Sequence, residues 1–218
     1  DAVKVMSQYC DILGVRSFPG LKNREEDYRE NILSDFVKYS DVPVVSLESA
    51  TLHPLQSLTD MITIKEFGIQ RPKIAVTWAP HPKVLPQAVT NSFLQWVKHT
   101  DAEVVLTHPV GYELKDEFTN GVAYTSNQKE AFECADFVYA KNWSSYSHYG
   151  GKPEVLEDWT VTEGLMSLTN HGKFMHCLPI RRNVVATDAV IDNSIVYQQA
   201  KNREIGAQVV LKKILESL

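Results

Sequence analysis

Apolar residues recur with helical spacing at Ala2, Val5, Met6 and Tyr9, and the chain then runs into residues 11–15, Asp-Ile-Leu-Gly-Val, a short buried-strand pattern. Tyr28, Ile32, Leu33, Phe36 and Val37 predict a second helix, and Pro43-Val44-Val45-Ser46-Leu47 the next strand. From His53 to about Phe67 the spacing of Leu55, Leu58, Met61 and Ile62 is helical again; Gly68 and Arg71-Pro72 end it. Beyond that break the alternation resumes: strand 73–78, helix 87–99, strand 103–107, a short helix 128–134, strand 136–140, strand 174–178, a brief strand near 195–197, and a final helix. That helix carries an apolar set of Ala207, Val210, Leu211, Ile214, Leu215 and Leu218. Strands alternating with helices predict an α/β chain with doubly wound parallel sheets. The break at residues 68–72 is the expected domain boundary. The first series then holds only two strands, too few for a sheet of its own.

Ligands of open parallel sheets bind beyond the carboxyl ends of the strands. The residues there form a polar set: Arg16 after the first strand, Glu48 and then His53 to Gln56 after the second, and His81 after the third. Lys141 follows a later strand, and Cys177-Leu178-Pro179-Ile180-Arg181 closes the next. Each alone reads most simply as a solvated charge or a helix-start residue; their recurrence at successive strand ends points to a site for a small anionic substrate. Cys177 reads as a small buried hydrophobe in an apolar strand, not as a nucleophile. His99, His108, His148 and His171 have no ligand spacing and read as surface or loop residues, so no metal is expected. Trp96 reads as core, and packing is the expected role of Trp78, Trp143 and Trp159.

The charge balance, 22 Lys plus Arg against 27 Asp plus Glu for a net −5, comes without a basic stripe, which argues against nucleic acid as a partner. The apolar runs are strand-sized, so no membrane span is expected. Three separated cysteines, Cys10, Cys134 and Cys177, without a C-x-x-C pair fit a reducing cytoplasmic setting better than a disulfide framework or a structural zinc site. Neither Gly-x-Gly-x-x-Gly nor the P-loop string occurs.

His53-Pro54-Leu55-Gln56 opening a helix, together with His176-Cys177-Leu178-Pro179, resembles the paired signature of the ornithine-type carbamoyltransferases. Ile180-Arg181-Arg182-Asn183 and Tyr139-Ala140-Lys141-Asn142-Trp143 resemble the acylornithine branch, the N-acetylornithine and N-succinylornithine carbamoyltransferases. The likeness runs along essentially the whole chain. It implies the C-terminal part of a two-domain carbamoyltransferase fold. Residues 1–68 would be half of the carbamoyl-phosphate domain including an interdomain helix, 69–198 the acylornithine domain, and 199–218 a helix returning toward the first. The family's early Ser-x-Arg-Thr-Arg phosphate loop does not occur in these residues, and the chain begins at Asp1. The expectation is therefore a fragment that binds an acylated amino acid without turnover, drawn from a longer enzyme that carries the transfer and forms a homotrimer.

By the resemblance, Arg16, His53, Pro54, Leu55, Gln56, Cys177, Leu178 and Arg203 contact carbamoyl phosphate. Arg16 and His53 would stabilise charge on the carbamoyl oxygen, and Gln56 and the Leu178 carbonyl would orient its NH2 group. Arg16, His53, Gln56 and Cys177 form the expected catalytic set, with no cofactor. Glu48, His81, Lys141 and Arg181 would hold N-acylated L-ornithine. Ordinary ornithine carbamoyltransferases carry, where Lys141 stands, an Asp that holds the free α-ammonium, so a Lys there favours an acylated nitrogen beside a carboxylate. The acetylornithine enzymes carry a modified Lys where this chain has Val185, which leans the acceptor toward N-succinyl-L-ornithine, with N-acetyl-L-ornithine as the alternative. The loop that separates the two acyl groups is expected to precede Asp1.

Overall fold

Two parallel sheets organise the computed structural model, which describes residues 1–151 and 156–218. The first pairs β1 (Leu13–Arg16) with β2 (Val44–Glu48). Around it lie α1 (Ala2–Ser7), α2 (Arg24–Tyr28) and α3 (Asn31–Tyr39), and α4 (Pro54–Glu66) follows β2. The second sheet has the order β5-β4-β3-β6-β7, from β3 (Lys73–Trp78), β4 (Glu103–Thr107), β5 (Ala123–Thr125), β6 (Phe137–Lys141) and β7 (Lys173–Met175). Its helices are α5 (Ala88–Val97), α6 (Asp116–Thr119), α7 (Gln128–Phe132), α8 (Glu163–Met166), α9 (Asp188–Asp192) and the long α10 (Val196–Leu215).

The larger sheet is buried on both faces because its central strands carry apolar residues at consecutive positions, Ile74 to Val76 in β3 and Phe137 to Ala140 in β6, as parallel strands under helices require. Ile74, Val76 and Trp78 of β3, with Phe137 and Tyr139 of β6, pack one way against Val89, Phe93, Leu94 and Val97 of α5. Ala75, Val138 and Ala140 face the other way, toward Phe132, Val190, Ile191 and Val196. From β3 the chain winds outward to β4 and β5, then returns to lay β6 on the opposite flank of β3. The crevice between the ends of β3 and β6 is therefore the switch point where open α/β sheets bind ligands. Trp78 and Lys141 sit opposite each other there.

Several predicted elements differ from those observed. The helix expected through Tyr28 and Val37 is two, because Glu30 takes a left-handed conformation (φ 48°) between α2 and α3. Glu30 Oε1 instead accepts hydrogen bonds from Ser49 Oγ, Thr51 N and Thr51 Oγ1. The brief strand expected near 195–197 is the N-terminus of α10, whose N-cap is Ile195. β7 ends at Met175, so Cys177 lies just beyond the strand. β5 has only three residues, with Ala123 and Tyr124 exposed, and leaves too weak a periodicity to predict. Trp96 is half-buried at the surface of α5, whereas His108 is buried with its ring against Tyr124.

The largest departure is α10. Its predicted apolar residues Leu211, Leu215 and Leu218 are exposed, and the face packed on α4 carries Gln199, Asn202 and Gly206. Asn202 Nδ2 donates to Thr63 Oγ1 (3.1 Å) and Glu66 Oε2 (2.8 Å), and Gln199 Nε2 to Asp60 Oδ1 (2.7 Å). A Cβ on Gly206 would come within 3.2 Å of Thr59 Oγ1, so the absence of a side chain lets the helices approach.

Candidate active site

The site is built from the carboxyl ends of five strands. On the smaller sheet, Arg16 ends β1 and Glu48 ends β2, in register with each other. Arg16 Nε and Nη2 both donate to Glu48 Oε2, at 3.1 and 2.9 Å. The Glu48 side chain is buried while that of Arg16 is 56% exposed, so the guanidinium keeps a face toward solvent. His53 follows as the N-cap of α4, with Pro54 at the first helical position, where its missing N–H costs no hydrogen bond. Buried His53 places Nε2 3.8 Å from Glu48 Oε2; its Nδ1 has no partner among the described residues. One turn on, Gln56 is buried and donates from Nε2 to Asp60 Oδ1 at 2.8 Å.

From the larger sheet come His81, three residues beyond β3, Lys141 at the end of β6, and residues 176–181 beyond β7. His81 Nδ1 lies 3.0 Å from the Lys83 carbonyl. The segment after β7 turns sharply, with Leu178 at φ 50° and a cis bond to Pro179. Leu178 N donates to His176 Nδ1 at 3.0 Å. Arg181 is exposed, as is Arg203 on α10. The loop after β6 is held by α2: Arg24 Nη1 donates to the Tyr146 carbonyl at 2.7 Å, and Tyr149 Oη to Asp27 Oδ2 at 3.0 Å.

The charges of these residues act on one another. Burial, helped by Arg203, Arg16 and Lys141, lowers the His53 pKa to about 4. Burial also lowers that of His81, with Lys141 and Arg181 adding to it, and that of His176, with Lys141 and His81 adding. Burial pushes the Cys177 thiol up against the pull of Lys141 and Arg203, with Asp60 and Glu48 reinforcing the rise. The result is four cations whose charges act on neutral imidazoles and a protonated thiol, a field suited to an anionic ligand and poorly suited to thiolate attack. Among the described residues no group of three or more His, Cys, Asp or Glu side chains is arranged to hold a metal, and no helix is long and apolar enough to cross a membrane.

His53 yields a prediction. Its folded pKa lies below the ordinary 6.5, so between pH 4 and 6.5 the unfolded chain binds more protons, and stability falls as pH drops through that window. Buried Asp60, raised to about 6, acts in the opposite sense between 3.8 and 6, so bulk unfolding mixes the two. In the ligand-free protein the His53 ring resonances are expected to titrate near 4; a midpoint at 6.5 would contradict the burial and cation field described.

Family models match both parts of this architecture. The carbamoyl-P binding domain of aspartate/ornithine carbamoyltransferase matches residues 1–66, and the Asp/Orn binding domain matches residues 86–213. The chain belongs to the aspartate/ornithine carbamoyltransferase family. Among its relatives in this family, the N-succinylornithine carbamoyltransferase of Bacteroides fragilis is 52% identical, the match covering 100% of this chain and 70% of that protein. The N-acetylornithine carbamoyltransferase of Xanthomonas campestris pv. campestris is 36% identical, over 93% of this chain and 67% of that protein. A crystal structure of acetylornithine transcarbamylase complexed with acetylcitrulline superposes with a TM-score of 0.92 at 33% identity, covering 98% of this chain and 71% of that one. The carbamoyltransferase fold expected from the two signatures is thus the fold observed.

Sequence reading gave no role to Asp60, Gln199 or Tyr139, although all three are buried beside the site. A usable signal existed for Asp60: a carboxylate four residues after Gln56 shares its face of α4. Gln199 had no such signal, because only the packing of α10 on α4 brings it there.

Proposed function

We propose that the protein transfers the carbamoyl group of carbamoyl phosphate to the δ-amine of N-succinyl-L-ornithine, giving N-succinyl-L-citrulline and phosphate in arginine biosynthesis. The observation that carries this reading is the cationic field at the strand ends: Arg16, Lys141 and Arg203 act on His53, Lys141 and Arg203 on Cys177, and Lys141 and Arg181 on His81. On this reading Arg16, His53, Pro54, Leu55, Gln56, Cys177, Leu178 and Arg203 face carbamoyl phosphate, and Glu48, His81, Lys141 and Arg181 face the acceptor. The neutral δ-amine attacks the carbamoyl carbon, the new C–N bond forms as the C–O bond to phosphate breaks, and phosphate leaves with the electron pair and takes up the proton the amine loses. Charge that builds on the carbamoyl oxygen meets Arg16 and neutral His53, donors fixed before the reaction starts. No enzyme nucleophile is needed; Cys177 flanks the site as a thiol.

The succinyl group is favoured over acetyl by the 52% identity to the succinylornithine relative and by Val185, which is buried in the apolar core where the N-acetylornithine enzymes carry a modified Lys. The domain division at residues 68 and 198, a homotrimeric assembly and a cytoplasmic setting belong to the same reading. Calorimetry in inorganic phosphate tests it: N-succinyl-L-ornithine is expected to bind at least tenfold more tightly than N-acetyl-L-ornithine, and free L-ornithine not measurably. Preference for free ornithine would overturn the reading. A citrulline assay with labelled carbamoyl phosphate then shows whether these 218 residues turn over or only bind.

A further inference from the structure

One chain of hydrogen bonds runs from the Gln56 amide to the backbone N–H of Leu178, joining the two residues read as orienting the carbamoyl NH2. Gln56 Nε2 donates to Asp60 Oδ1 (2.8 Å), and Gln199 Nε2 donates to the same oxygen (2.7 Å). Gln199 Oε1 accepts from His176 N (2.9 Å), and His176 Nδ1 accepts from Leu178 N (3.0 Å). Gln56 is 1% exposed, Asp60 and Gln199 0%, and His176 4%, so water does not compete for the first three of these bonds, while the last, to half-buried Leu178, is partly covered.

The donor and acceptor types allow one arrangement. An ionised carboxylate only accepts, so both amides must turn their NH2 groups toward Asp60. Gln199 is constrained a second time, since its other end meets a backbone N–H that only donates. With its nitrogen committed, Gln56 is left with Oε1 as a buried acceptor that has no partner among the described residues. Such an orphan has lost its water without gaining a protein donor, so it favours a ligand that brings one. His176 is fixed with its proton on Nε2, because Nδ1 is taken by Leu178 N. Three elements are tied together: the first turns of α4, the buried face of α10 and the segment after β7.

We propose that Asp60 and Gln199 are positioning residues that set the Gln56 amide and the Leu178 segment in register on the two sides of the carbamoyl group. This rests on the carbamoyl-phosphate reading of Gln56 and Leu178 and adds to it the parts that hold them. The groups that bear on Asp60 from the packed elements are Tyr139 of β6, Cys177 beyond β7 and Arg203 of α10. The Tyr139 hydroxyl lies close enough to favour the charged carboxylate, short of the geometry of a full hydrogen bond.

The test compares carbamoyl phosphate with inorganic phosphate by calorimetry on the full chain, since only the first carries the NH2 group. Gln199→Leu cuts the chain in the middle. It is expected to weaken carbamoyl phosphate at least tenfold and leave inorganic phosphate within twofold. Asp60→Asn keeps an oxygen for both amides and is expected to stay within threefold of the parent for both ligands. Equal weakening of the two ligands by Gln199→Leu, or no weakening of either, overturns the proposal. Side-chain amide exchange in the unmutated protein is a second arm that needs no variant. The Gln56 and Gln199 NH2 protons are expected to exchange far more slowly than those of exposed Gln8, and exchange as fast as Gln8 overturns the proposal. If the unmutated protein binds neither ligand, the carbamoyl-phosphate reading fails, and the exchange arm alone decides whether the hydrogen-bonded chain exists.

Discussion

Replacing Lys141 by aspartate is expected to abolish binding of N-succinyl-L-ornithine, with affinity falling by about 10³ or more. Lys141 ends β6 at the switch point of the sheet, opposite Trp78, and its charge reaches His53, His81, His176 and Cys177. Two unit charges 4 Å apart interact by roughly 4 kcal/mol at an effective dielectric near 20. Reversing one sign both removes the attraction for an acylamino-acid carboxylate and adds a repulsion. The swap should also relieve the imidazoles: His53, His81 and His176 should all titrate at higher pH than in the parent. Calorimetry with the acylated acceptor and ring NMR on the same sample check both. Unchanged affinity together with unchanged histidine midpoints would place Lys141 outside the site.

How much of this was legible beforehand follows from what each residue packs against. The larger sheet could be read because parallel strands buried on both faces carry apolar residues at consecutive positions, as 74–76, 104–106 and 137–140 do. Its strand-end residues could be read for the same reason, since a polar residue directly after an apolar run marks the carboxyl end of a strand. What failed was the contact between helices. Sequence reading takes the apolar side of a helix for its buried side, and on α10 the two coincide only in part: Ala207, Val210 and Ile214 are half-buried, while Leu211 and Leu215 are exposed. The buried side is Gln199, Asn202 and Gly206, satisfied by Asp60, Thr63 and Glu66 of α4. A polar interface of this kind leaves no periodic signal, because each glutamine or asparagine looks solvated until its partner is known.

The break between α2 and α3 was hidden in a similar way. Tyr28, Ile32 and Phe36 keep helical spacing across it, yet Glu30 leaves the helix so that its carboxylate can hold Ser49 and Thr51 just before the His53 turn. Propensity yielded there to a tertiary contact that shapes the approach to the site. The resemblance supplied roles for Arg203 and Glu48 that spacing alone did not, and geometry adds that Glu48 spends its carboxylate on Arg16 and stands beside His53.

His53→Ala is expected to lower carbamoyl transfer by about 10²–10³ while leaving the affinity for N-succinyl-L-ornithine within threefold. That range is what loss of one preorganised donor to a developing oxyanion costs. Placing a donor against the carbamoyl oxygen needs an imidazole that is neutral, buried and not already bonded. His53 meets each condition: its pKa lies near 4, its Nδ1 has no partner among the described residues, and its Nε2 stands 3.8 Å from a carboxylate that Arg16 already occupies. The same features keep the variant folded. His53 makes no side-chain capping bond to α4, and Pro54 still starts the helix, so little stability is lost with the ring. A thermal midpoint within a few degrees of the parent, read beside turnover and acceptor affinity, separates the loss of a catalytic donor from loss of structure. Equal falls in turnover and acceptor affinity would assign His53 to the acceptor instead of the carbamoyl group.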